Sequence, residues 1–154
     1  MTAPTAQRTR EGQVPVVAAV ALGGTLGSLA RYAAGLAWPA RTGGFPWTTF
    51  AVNVVGCAVI GVLLVLVTEI LTVHRLVRPF LGTGVLGGFT TFSTYTVDIR
   101  KLLGDGHPAT AFAYLAGTLC AALAAVWLAA NATRRLHGTY AGRSAEPGET
   151  GHEG

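Results

Sequence analysis

Charge is scarce in this sequence. Asp, Glu, Lys and Arg make up only 12% of its 154 residues, about half of what a soluble domain carries. That is too little to coat a water-facing surface, so lipid must replace water around much of the chain. Acidic groups are the scarcest, seven against eleven basic ones. The two beside apolar runs, Glu69 and Asp98, stand at run ends rather than inside them. The histidines, His74, His107, His137 and His152, all fall in loops or tails. No nucleophile can pair with a base within the apolar runs, which argues against an enzyme. Cysteine is limited to Cys57 and Cys120, both inside apolar runs and without metal-ligand spacing, so they read as small hydrophobes. No repeat of about 20–50 residues is visible. The formal charge is +4, yet the arginines lie singly or in pairs at the edges of apolar runs. A nucleic-acid face would concentrate them, so no nucleic acid is expected as partner.

What is present is apolar length. Hydrophobic residues make up 51% of the chain, and the mean hydropathy is +0.48. Four spans of about 20 residues would fill roughly half of such a chain. The reading is an all-α membrane protein of four transmembrane helices. Residues 1–13 form a polar tail expected to be disordered. Residues 14–136 form the membrane domain, with spans at 14–38, 48–71, 79–97 and 109–130, and residues 137–154 form a second disordered tail. The first run, Val14 to Trp38, is too long for a signal core and contains Arg31. Trp38 and Trp47 flank the first loop as interfacial anchors. With an even number of spans both termini share one side. That side collects Arg8, Arg10, Arg75, Arg78, Arg134, Arg135 and Arg143, against Arg41, Arg100 and Lys101 opposite. The bias favours cytoplasmic termini.

The polar residues inside the spans carry the functional information. Arg31 is costly in an apolar helix, so it either snorkels past Trp38 or faces protein. Gly23 and Gly27 lie eight and four residues before it, on its own face. They allow a second backbone to approach there and favour the protein-facing reading. Asn53 needs hydrogen-bond partners in hydrocarbon, either as glue between helices or as a donor lining a pore. The third span holds Gly82, Gly84, Gly87 and Gly88 within seven residues, each weakening a helix by roughly 1 kcal/mol relative to alanine. Gly87 and Gly88 fall near the bilayer midplane, where broken backbone is tolerated only if buried in protein or lining a cavity. Unwinding there would free carbonyls able to coordinate a cation. A glycine face for close packing accounts for Gly84 and Gly88. It does not account for Thr90, Thr91, Ser93, Thr94 and Thr96, which suggest a polar track even though some can bond their own backbone. Phe92 and Tyr95, three apart, share a face. Their ring edges are electropositive, although packing is the commoner use of such a pair. Tyr114 and Thr118 add a polar stripe to the fourth span, where a tyrosine near the start also serves as an interfacial anchor.

Together these residues resemble the CrcB/Fluc family of fluoride channels over about residues 20–120. The match runs through Gly23-Gly24 to Arg31-Tyr32, then Val52-Asn53 with Gly56-Cys57 and Gly61. Its most specific part is Gly87-Gly88-Phe89-Thr90-Thr91-Phe92-Ser93-Thr94. The resemblance implies an antiparallel, dual-topology-type dimer in the cell membrane, with a broken third helix, two narrow fluoride pathways and a structural Na⁺ at its centre. The Na⁺ would sit on the carbonyls of Gly87 and Thr90, hard oxygen ligands that suit it. Asn53 would donate to fluoride, Phe92 would offer ring edges, and Ser93, Thr94 and Thr118 would belong to the polar track. Arg31 would lend positive potential to a vestibule, with Tyr114 as polar support. The activity implied is passive efflux of fluoride, which lowers its toxicity in the cytoplasm.

Two features depart from the family pattern. Tyr95 stands where phenylalanine is usual, and its hydroxyl would either donate to the ion or obstruct the path. The charge bias, seven against three, suggests a fixed orientation, so the partner is either a second copy or an oppositely inserted paralogue. The alternative function is a small multidrug-type proton-coupled antiporter, for which no carboxylate lies at the right depth. A non-transporting assembly subunit would explain the glycine faces but leave the hydroxyl cluster without a role.

Overall fold

The computed structural model describes residues 5–41, 43–71 and 73–143, with side chains from 13 to 138. The expectation of disorder at residues 1–4 and 144–154 lies outside the described residues. All regular structure among the described residues is helical. Helix α1 runs Thr5–Ala37. Helix α2, Trp47–Val65, widens into a π-wound turn over Leu66–Ile70. Helix α3 begins at Pro79, winds as a π-helix to Leu86 and closes with the α-turn Gly87–Phe89. Helix α4 is Ser93–Gly104 and α5 is Pro108–Arg143. Among the described residues, three stretches are long and apolar enough to cross a membrane: Gln13–Ala37, Trp47–Ile70 and Pro108–Gly138.

The punctuation follows local chemistry. Pro79 and Pro108 occupy first helical positions, where a missing N–H costs nothing. Gly106 takes a positive φ of 79° as α4 ends, and the N–H groups of Gly106 and His107 return to the Leu103 and Leu102 carbonyls at 3.2 and 2.8 Å. Those bonds satisfy carbonyls the helix end leaves open. Gly43, at φ 71°, turns the first loop, and a β-carbon there would lie 2.8 Å from His107 Nε2. The loops after α1 and α4 therefore meet at one end of the molecule.

Helix α1 packs along α3, and α2 along α5. The first contact is backbone on backbone. A β-carbon on Gly23 would lie 2.9 Å from Val85 N, one on Gly27 2.8 Å from Phe89 N, and one on Gly84 3.0 Å from Gly23 Cα. Gly61 plays the same part between α2 and α5, against Val126 and Ala130. A small aromatic core joins the far ends: Leu102, Ala111 and the fully buried Tyr114 pack with Phe45, Phe50, Tyr95 and Ile99. Large apolar side chains cover the outside, among them Leu22, Leu26 and Leu29 on α1 and Leu119, Leu123 and Trp127 on α5. Such a surface suits lipid as its solvent.

Two expectations need correction. Helix α1 starts at Thr5 instead of residue 14 and α5 continues to Arg143 instead of stopping near 130. The flanking polar stretches carry five Arg, three Ala and two Gln, helix formers that let the winding run on. The third segment is interrupted, but beyond its glycines. Gly87 and Gly88 stay helical, and the helix ends at Thr90, whose backbone is extended at φ −74°, ψ 156°. The glycines weaken the helix intrinsically, yet Gly84 and Gly88 sit against α1, and that close packing holds the turn in place.

Candidate functional site

The interruption at Thr90–Phe92 is built by side chains that outcompete the helix for its own peptide groups. Asn53, 9% exposed on α2, accepts the Thr91 N–H on Oδ1 at 2.8 Å and donates from Nδ2 to the Thr91 carbonyl at 3.0 Å. Thr91 Oγ1 in turn accepts the Thr94 N–H at 3.1 Å and so caps α4 with its side chain. In an unbroken helix the Thr91 N–H would bond the Gly87 carbonyl, and the Thr94 N–H the Thr90 carbonyl. Both carbonyls have lost those donors. The intervening Gly88 carbonyl is satisfied from α1, by Arg31 Nε at 3.1 Å and Ser28 Oγ at 3.4 Å. The oxygens released at the interruption thus include those of Gly87 and Thr90. Neutral carbonyls without N–H partners are a donor set that fits a hard monovalent cation such as Na⁺.

Two grooves flank this turn, and Thr91 lines both. The first, about 480 Å³, gathers Arg31, Thr48, Thr49, Thr91 and Thr94 between α1, α2 and the turn. Arg31 spends one donor on Gly88, and a guanidinium carries five. The groove thus has a fixed positive charge beside hydroxyl groups. The second, about 240 Å³, brings together Asn53, Cys57, Thr90, Phe92, Tyr95 and Thr118. Asn53 has a second amide N–H not spent on Thr91. Thr118 is 5% exposed, and its Oγ1 has no hydrogen-bond partner among the described residues. A buried unpartnered hydroxyl is costly and calls for a ligand, ion or water.

The aromatic residues form a chain leading inward. Phe92 is 79% exposed; its ring lies 5.8 Å from that of Tyr95, which lies 5.1 Å from Tyr114. The Tyr95 hydroxyl donates to the Leu115 carbonyl at 2.7 Å. It is thereby tied to α5, which settles the local question of where that hydroxyl goes. Tyr114 is no interfacial anchor: it is fully buried, edge-on to Phe45 at 5.2 Å, with its hydroxyl 3.5 Å from Asp98 Oδ2. It packs behind Tyr95, outside the groove lining.

Of the expected residues, Asn53, Phe92, Tyr95 and Thr118 share one groove, and Arg31 and Thr94 share the other. Ser93 is exposed, its hydroxyl 3.3 Å from that of Thr91. Thr90 and Thr96 donate their hydroxyls to the Leu86 and Phe92 carbonyls, both at 2.9 Å. Sequence reasoning missed Thr91 as the residue clamped by Asn53, and missed the anchor at Asp98, which accepts from Thr49 Oγ1 at 2.9 Å. Both involve partners 38 or more residues apart, which local spacing cannot reveal. The two carboxylates weighed as proton carriers have structural partners. Glu69 forms a bidentate pair with Arg134, its closest approach 2.8 Å, and Asp98 is held by Thr49 and Tyr114.

The family model described as "CrcB-like protein, Camphor Resistance (CrcB)" matches residues 18–130, which contain every residue lining the two grooves. The chain belongs to the CrcB-like family. Among its relatives, fluoride-specific ion channel FluC 1 of Streptomyces coelicolor is 68% identical over 124 residues, 80% of each chain. Fluoride-specific ion channel FluC 2 of Streptomyces avermitilis is 69% identical over 118 residues, covering 76% of this chain and 75% of the relative. The FluC 2 channel of Nocardia farcinica is 56% identical over 119 residues, covering 77% and 85%. Family membership and three apolar spans make this CrcB-like chain a multi-pass membrane protein.

Proposed function

We propose that this CrcB-like chain forms a fluoride-selective channel, no enzyme, through which fluoride leaves the cytoplasm passively. The observation that carries the reading is the Asn53–Thr91 clamp. It breaks the third segment between two grooves and leaves amide, hydroxyl and ring-edge groups around the break. A small anion gives up its hydration shell only for donors close at hand, and passes on only if none holds it tightly. Neutral N–H, O–H and C–H edges meet both needs. Arg31 supplies an attractive potential in the wider groove, and Asn53, Phe92, Tyr95 and Thr118 line the narrower one, with Ser93 and Thr94 beside the turn. Fluoride enters a cell as neutral HF, dissociates, and leaves with the inside-negative potential.

Helices α3 and α4 together make the fourth crossing, and the assembly is an antiparallel dimer. Phe92 at 79% exposure and the open narrow groove are features a partner would cover. The partner is a second copy, which requires dual topology, or an oppositely inserted paralogue, in which case the arginine bias keeps both termini of this chain cytoplasmic. A structural Na⁺ held by the Gly87 and Thr90 carbonyls would fix the two broken segments against each other. The test is fluoride efflux from liposomes containing only this chain, read with a fluoride electrode. Fast fluoride efflux with chloride retained is the expected result. Equal rates for both anions would end the selectivity claim. No efflux until a paralogue is added would place the chain in a heterodimer.

A further inference from the structure

The narrower groove contains one group whose chemistry the anion route does not use. Cys57 lies one turn after Asn53 on α2, half-buried, and shares a helix face with it. It lines the groove of about 240 Å³ together with Thr118. The Thr118 hydroxyl, on a side chain only 5% exposed, has no partner among the described residues, so the groove presents a polar atom in want of a ligand. The other lining groups are an amide, two threonine hydroxyls, aromatic rings and aliphatic carbon. None is a carboxylate or an imidazole. Hard neutral oxygen and nitrogen bind soft metals poorly, whereas sulfur selects them. The thiol is thus the one soft ligand in a confined space.

We propose that Cys57 is a soft-metal capture site within the ion route, taking a mercuric or organomercury cation, and that its occupancy closes the groove. The inference rests on the channel reading above. The chemistry is ligand exchange without redox change. With methylmercury chloride the S–H bond breaks and an S–Hg bond forms. The proton passes to water and chloride leaves the metal. Cys120, exposed on α5, is outside the groove lining and serves as the internal control.

The experiment measures fluoride efflux with and without methylmercury chloride, together with the mass of the Cys57 and Cys120 peptides. Each variant is scored by its own treated-to-untreated ratio, so that basal rates do not enter. Wild type and Cys120→Ser should fall at least about tenfold on treatment, as expected when one occupant blocks a single-file path. Cys57→Ser should keep a ratio near one, and Cys57→Ala provides the second thiol-free variant should serine fold poorly. The proposal is overturned if Cys57 acquires no methylmercury mass, if it does so while wild-type efflux continues, or if both thiol-free variants are blocked like wild type. Untreated wild type that carries no fluoride defeats the channel reading instead. In that case the adduct mass alone decides the capture claim: an adduct on Cys57 upholds it and its absence refutes it.

Discussion

Asn53 and Thr91 are bound through both polar groups of one side-chain amide and both backbone polar groups of one residue, at 2.8 and 3.0 Å. This reciprocal pair ends one helix and positions the next. Asn53→Ala would leave a backbone N–H and C=O unpaired at membrane depth, a loss of roughly 1–3 kcal/mol. Asn53→Asp keeps the acceptor for the Thr91 N–H and loses the donor to the carbonyl, while adding negative charge to the groove. Both variants should lose fluoride efflux. Thermal unfolding in detergent should separate them, alanine being less stable than wild type through loss of both bonds. An alanine variant with unchanged melting and unchanged efflux would show that the clamp is dispensable.

The glycine seam gives a prediction with a built-in contrast. A β-carbon on Gly27 would lie within 2.8 Å of Phe89 N, whereas one on Gly24 has nothing within 4 Å. Gly27→Val should force α1 away from α3 and carry Arg31 off the Gly88 carbonyl. Gly24→Ala should be tolerated and gain a few tenths to about 1 kcal/mol of helix propensity. Paired melting curves test this, and the idea fails if the two substitutions have the same effect.

How much of this was legible in the sequence follows from what each signal depends on. Apolar length and tryptophan placement announced α1, α2 and the membrane part of α5, because lipid imposes them residue by residue. The presence of an interruption was also legible, from glycines followed by hydroxyls. Its position was not. Gly88 stays wound because α1 supports it, and the chain unwinds at Thr90 because Asn53, 38 residues before Thr91, takes the N–H that the Gly87 carbonyl would need. Competition between distant partners leaves no local trace. The same holds for Tyr114, whose place at a span start suggested an interfacial anchor until Phe45 and Asp98 closed over it. Cys57 looked inert for a similar reason: its face is defined by Thr118, on another helix.

Tyr95 allows the hydroxyl and the ring to be tested separately. Its O–H is spent on the Leu115 carbonyl at 2.7 Å, so Tyr95→Phe should cost about 1 kcal/mol of stability and leave efflux close to wild type. Tyr95→Ala also removes the ring between Phe92 and Tyr114, and efflux should slow. A phenylalanine variant whose fluoride-to-chloride selectivity changed would mean that the hydroxyl meets the ion after all.

Arg31 should act by charge, and charge is screened. Arg31→Ala should slow fluoride efflux most at low ionic strength, and the difference from wild type should shrink near 1 M salt, where the Debye length is about 3 Å. Arg31→Lys should restore much of the rate, since it keeps the charge, but not the stability, because the ammonium cannot reproduce the guanidinium geometry that reaches Gly88. A deficit in Arg31→Ala that did not vary with salt would assign the residue to holding α1 against α3 alone.

The released carbonyls of Gly87 and Thr90 predict dependence on a small hard cation. Dialysis from Na⁺ into a bulky organic cation should lower efflux, and readdition of Na⁺ should restore it with saturation, as expected when an ion stabilises the state it binds. Efflux indifferent to the cation in wild type would leave those carbonyls without the role given to them, while the clamp and both grooves would stand.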